Sequence, residues 1–218
     1  MFKRVLCCGA LLLAAAPASA QVLEIGAHAG YTLSEGVEFP TIVTPAGTFN
    51  GVGPTDDFSW GFTVGARVRQ GLGIGFLFDR QQSDLEITGP GASRNLGAMN
   101  VDNYHGIFSF DYPLPSNPDV AGFFFLGLGA TTYGSITVGA IELDGETQFS
   151  TTWGAGLKFN PGARPIGFRA AVRWTPTYIK SDYGGVWCDP YWGCSSYSDA
   201  DYSHQVEFAG GITYRINL

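Results

Sequence analysis

Between Gly61 and Asp79 the chain reads GFTVGARVRQGLGIGFLFD, and this alternation restricts the possible folds more than any other feature. Phe62, Val64, Ala66 and Val68 alternate with Gly61, Thr63, Gly65 and Arg67. After Arg69-Gln70-Gly71, the residues Leu72, Ile74, Phe76 and Phe78 alternate with Gly73, Gly75 and Asp79. A period of two is a strand, and two such runs joined by a tight glycine-containing turn are a hairpin. In a soluble half-buried hairpin the second face is polar and solvated. Here it is mostly glycine, which weakens a strand and adds nothing to solubility. A membrane barrel inverts the assignment: bulky apolar residues face lipid, and small or charged residues face a narrow lumen.

The pattern recurs eight times, over Val22 to Leu33, Phe58 to Val68, Leu72 to Arg80, Met99 to Tyr112, Phe123 to Tyr133, Phe149 to Phe159, Ile166 to Thr175 and Gln205 to Leu218. Each run is long enough for a tilted membrane strand of about 9–11 residues. The connections alternate in length. Arg69 to Gly71, Pro113 to Asp119 and Asn160 to Pro165 are short and rich in turn residues. Ser34 to Asp57, Gln81 to Ala98, Gly134 to Gln148 and Lys180 to His204 are long. Phe39 to Phe49 and Ser135 to Leu143 lack a full apolar stripe and read as hairpin extensions above the membrane. The sequence therefore predicts an all-β fold: a single closed antiparallel up-and-down transmembrane β-barrel of eight strands. Short turns lie at one end with both termini, which is the periplasmic side in such barrels, and four long extracellular loops lie at the other.

The first residues fit that address. Met1-Phe2-Lys3-Arg4 is basic, Val5 to Ala16 is apolar, and Ala18-Ser19-Ala20 is a cleavage site, so residues 1–20 read as a cleaved signal peptide and 21–218 as the barrel domain. Cys7 and Cys8 lie too early in the apolar run for a lipoprotein site and leave with the leader. Twelve basic residues less Lys3 and Arg4 leave ten against 19 acidic ones, a formal charge of −9. That balance excludes nucleic acid as a partner. Beyond the leader no apolar run reaches the length of a membrane helix.

Charged residues on the glycine-bearing face must lie inside such a barrel. Glu24, Arg67, Asp111, Lys158, Arg169 and Arg215 fall near the short-turn ends of their strands. Arg173 and Glu207 form a candidate pair higher up, and His28 and Asp79 point inward as well. Glu24 is expected to meet Arg67 and Arg215, because a charge left alone in a narrow lumen is costly. This network is expected to plug the interior, although the inward glycines leave room for a thin water path.

At the C-terminus, Gly211, Tyr214, Ile216 and Leu218 look like the signal that outer-membrane barrels present to their assembly machinery, with Leu218 where Phe is usual. Together with the leader, GFFFLGLGA and IGFRAAVRW, these residues make the mature chain resemble the eight-stranded outer-membrane β-barrel superfamily of the OmpA transmembrane domain and the opacity-type porin-like proteins. The resemblance implies residence in a bacterial outer membrane, with its lipid and lipopolysaccharide as partners. No peptidoglycan-binding domain follows the barrel, so wall anchoring is not implied.

The most distinctive loop motif is WCDPYWGC, Trp187 to Cys194. Cys188 and Cys194, exported and close in sequence, read as a disulfide closing a turn; two thiols fall short of a zinc site. Trp187, Tyr191, Trp192 and Tyr197 are then either displayed for binding on a braced tip or seated in the lipid headgroup belt. The acidic loops lack a calcium-ligand run, and GLGIGF and GLGAT lack the helix a dinucleotide motif needs. No metal and no cofactor are expected. An enzyme would need a rim set such as Ser203, His204 and Glu207, but alternation puts His204 on the lipid side and the other two inside. The expected role is therefore non-enzymatic: structural, and adhesive or surface-interactive through the loops. A narrow channel and a lipid A-modifying enzyme are the alternatives.

Overall fold

The computed structural model describes residues 22–44, 47–69, 71–138, 141–160, 164–180, 185–189, 193–197 and 200–217. Its strands are β1 (Val22–Glu35), β2 (Val37–Thr44), β3 (Gly47–Pro54), β4 (Asp57–Arg69), β5 (Leu72–Gly89), β6 (Ala92–Leu114), β7 (Asn117–Tyr133), β8 (Ile136–Val138), β9 (Ile141–Leu143), β10 (Glu146–Phe159), β11 (Ile166–Lys180), β12 (Gly185–Asp189), β13 (Gly193–Tyr197) and β14 (Ala200–Asn217). Eight of them close a ring in the order β1, β4, β5, β6, β7, β10, β11, β14, all antiparallel. The seam is a full ladder from Val22 opposite Asn217 to Glu35 opposite His204, so the wall of the ring has no free edge. No helix among the described residues is long and apolar enough to cross a membrane. At about 3.3 Å per residue and a tilt near 45°, the 13 residues of β4 span roughly 30 Å, the thickness of a bilayer's hydrocarbon core.

The alternation sorts side chains as the sequence predicts. Trp60, Phe62, Phe76 and Phe78 of β4 and β5 meet Tyr104 of β6 on the outside, with ring centroids 5.2–6.3 Å apart. Trp153 faces Trp174 across β10 and β11, and both are exposed. Leu128 is 61 % exposed in the middle of β7. Such a belt of bulky apolar residues on a closed wall is stable in hydrocarbon and not in water.

One segment departs from expectation. Gln81 to Ala98, read as a long loop, instead continues the β5–β6 ladder as far as Gly89 opposite Ala92. Gly91 closes this hairpin at φ +76°, a left-handed conformation that glycine adopts without strain. Outside the membrane a strand keeps its backbone ladder but loses the apolar stripe, which is why the extension read as loop. β2–β3 and β8–β9 form the two smaller hairpins anticipated there, and β3 pairs with the upper part of β5.

Candidate functional site: the closed lumen and the long-loop end

The lumen is filled in layers. Nearest the short turns, Lys158 of β10 reaches across to Glu24 of β1 at 2.9 Å and to the Asp111 carboxylate of β6 at 3.2 Å. Arg67 of β4 donates to Asp111 at 2.6 Å and lies 3.9 Å from Glu24. Glu24 is thus held chiefly by Lys158, which comes from the far wall, rather than by Arg67. Arg215 sits opposite Glu24 in the β1–β14 ladder, yet the ion pairs of Glu24 among the described residues are with Lys158 and Arg67. Its Nε and Nη2 are buried without a hydrogen-bond partner. The expected Glu24–Arg215 pair is therefore corrected: the carboxylate turns into the lumen, toward the cation that reaches it from across the barrel.

Above this layer lies an apolar one that alternation did not reveal. Phe123 and Phe125 of β7 point inward with Leu77 of β5, backed by Ile107 and Ala171. The glycines supply the space. Gly154 stands opposite Phe125 in register, and a methyl group there would fall 2.3 Å from the Phe125 ring. At this level the room left by inward glycines holds aromatic rings rather than water.

The next layer is a compact ion cluster. Arg173 of β11 donates to Asp79 of β5 at 2.6 Å and to Glu207 of β14 at 2.9 Å. His28 Nε2 is 3.2 Å from Asp79, and Ser59 donates to Glu207 at 2.7 Å. His28, Asp79 and Glu207 bring metal-ligand atoms within 4.8 Å of one another. Arg173 already places a permanent cation against both carboxylates, and a guanidinium cannot be discharged. The arrangement is a buried salt-bridge cluster.

Higher still, neutral groups cross the barrel. Gln205 donates to Gln81 at 2.7 Å, Asn103 to Gln205 at 3.2 Å, and Thr131 to Asn103 at 2.7 Å. Thr131 also meets Ser150 and Thr177, and Ser150 lies 2.9 Å from His105 Nε2. Gln81, Asn103, His105, Thr131 and Thr177 are fully buried. None was singled out from the sequence, although each lies on the inward phase of its strand once the strands are extended upward. At the mouth the interior turns apolar again. Met99, Val101 and Ile136 pack with Leu85, Leu96 and Tyr133. Beside them Val37, Val52, Leu143 and Ile179 help line a cleft of about 240 Å³.

The other expected site residues place as follows. Arg169 faces the lumen between the two charged layers. Ser203 and Glu207 are buried inside, whereas His204 stacks outside on Tyr202 and Trp174, so the three do not meet. Tyr214 and Ile216 lie on the lipid side, and Gly211 faces inward against Ala27 and His28. The β12–β13 ladder sets Cys188 directly opposite Cys194 and carries Trp187 and Tyr197 in its backbone. Tyr191, Trp192, Leu218, the leader with Cys7 and Cys8, and the side chains of the WCDPYWGC loop lie outside the described residues.

No protein-family model matches the sequence, and no curated protein matches it. Solved structures do match. The crystal structure of Neisserial surface protein A aligns with a TM-score of 0.56 at 12 % identity, over 88 % of this chain and 96 % of that one. The solid-state NMR structure of outer membrane protein AlkL in DMPC lipid bilayers aligns with a TM-score of 0.51 at 17 % identity, over 89 % and 90 %. At these identities what is shared is the fold, an eight-stranded outer-membrane barrel.

Proposed function

We propose that the mature chain is a non-enzymatic outer-membrane barrel that stabilises the envelope and presents its long loops to the surroundings, with a lumen that does not conduct. The observation that carries this reading is the layered interior: ion cluster, apolar layer and polar chain each span the barrel. Solute would have to displace paired charges and aromatic rings to pass. The long-loop end, by contrast, is elaborate. Three hairpins rise from it, and an apolar cleft opens there.

On this reading residues 1–20 are the leader, the short turns and both termini are periplasmic, and the four long loops are extracellular. Lipid and lipopolysaccharide surround the belt, and the C-terminal strand is the substrate of the barrel assembly machinery. Cys188 and Cys194 form a disulfide bracing the loop that carries Trp187, Tyr191, Trp192 and Tyr197. The outward position of His204 supports the absence of a Ser203–His204–Glu207 relay, since no proton could pass among the three. Single-channel recording in planar bilayers, on protein recovered from fractionated outer membranes, tests the proposal. A flat baseline is expected. Discrete steps from the folded barrel would move the reading to a narrow channel.

A further inference from the structure

The short-turn layer of the lumen is out of charge balance. Arg67, Lys158, Arg169 and Arg215 face two carboxylates, Glu24 and Asp111. Rearranging the side chains does not remove this surplus, because four cations cannot be neutralised by two acids. The rim beyond adds one acid, Asp119, and one base, Arg164, and leaves the surplus as it is.

Arg169 bears most of it. Its Nη1 donates to the neutral Thr63 hydroxyl at 3.2 Å, and its guanidinium lies 5.0 Å from the Phe123 ring centroid. It enters none of the ion pairs among the described residues. Arg169, Arg67 and Lys158 all line one cavity of about 50 Å³. A few waters or a single ion fit in such a space. Water alone leaves a permanent guanidinium in a confined site without a counter-charge, which is costly.

We infer that this cavity holds one small monovalent inorganic anion, of chloride's size, against Arg169. Glu24 and Asp111 also line the cavity and would repel a more highly charged oxyanion. The site is independent of the proposed surface role, so losing one would leave the other standing.

Thermal unfolding of the detergent-solubilised barrel in sodium chloride and in sodium gluconate, at matched ionic strength, tests the inference. The melting temperature is expected to rise and saturate with chloride or bromide, and not with the bulkier gluconate. Arg169→Gln is expected to remove the halide response while the barrel still shows heat-modifiable migration. Bromide-soaked crystals of the unaltered protein, which need no variant to fold, are expected to show an anomalous peak within hydrogen-bonding reach of Arg169. Equal melting curves in the two salts, a full halide response retained by Arg169→Gln, or no bromide peak in the cavity would each overturn it.

Discussion

Arg173 Nη2 lies 2.6 Å from Asp79 Oδ1 inside the barrel, joining the third and seventh strands of the ring where neither borders the other. Glu207 at 2.9 Å makes the guanidinium the hub of a cluster that almost no solvent reaches. Replacing Arg173 by Met strands two carboxylates. A loss of about 3–5 kcal/mol in folding stability is expected, the usual cost of breaking a buried pair from one side. Denaturant titration in micelles reads it. The triple change Arg173→Met, Asp79→Asn and Glu207→Gln should recover a large part of that loss, because no charge is then left alone.

The apolar layer is expected to be the tightest seal. Phe123→Ala with Phe125→Ala removes both rings from beside Gly154 and Gly156, which have no side chains to take their place. Brief conductance steps should appear in planar bilayers, where the unaltered barrel gives none. Each truncation is also expected to cost about 3–5 kcal/mol. A silent double variant that still migrates as a folded barrel would place the seal elsewhere in the lumen.

On the outer wall, Leu128 is exposed in the middle of a strand, while Thr131, three residues on, is buried. Leu128→Arg should destabilise folding into vesicles by about 2–4 kcal/mol, the cost of a cation at mid-bilayer on a lipid face. The same change at exposed Tyr112, near the short-turn end of β6, should cost far less, since charge is tolerated near the interface. Equal costs at the two positions would contradict the placement of the belt.

The ladder places Cys188 opposite Cys194, and an exported pair in that register is expected to be oxidised. Thiol titration of unfolded, unreduced mature protein should find no free cysteine, and reduction should release two. Proteolysis within the Gly185–Tyr197 hairpin should quicken after reduction while the barrel wall survives.

These results also mark where period-two reading stops. Asp79, Arg173 and Glu207 could be placed inside because single charges interrupt otherwise apolar runs. Phe123-Phe124-Phe125 offered no such contrast. Three identical residues carry no phase, so the two inward rings were hidden beside the outward one. Gln81, Asn103 and Gln205 escaped notice because alternation was sought only where lipid writes it, and above the membrane both faces of a strand are polar. The partner of Glu24 was misjudged because register fixes neighbours along the wall, whereas Lys158 reaches it across the lumen. Strand identity and facing were therefore legible, and contacts across the interior were not.

The account rests on hydrocarbon bathing the exposed belt, and a variant retaining Trp153 alone of the five tryptophans tests that most directly. In vesicles of lipids brominated on their acyl chains its fluorescence should be strongly quenched, while aqueous iodide should leave it almost unchanged. Quenching by iodide with no response to brominated lipid would show that the bulky face meets water, and the barrel described here would then be wrong.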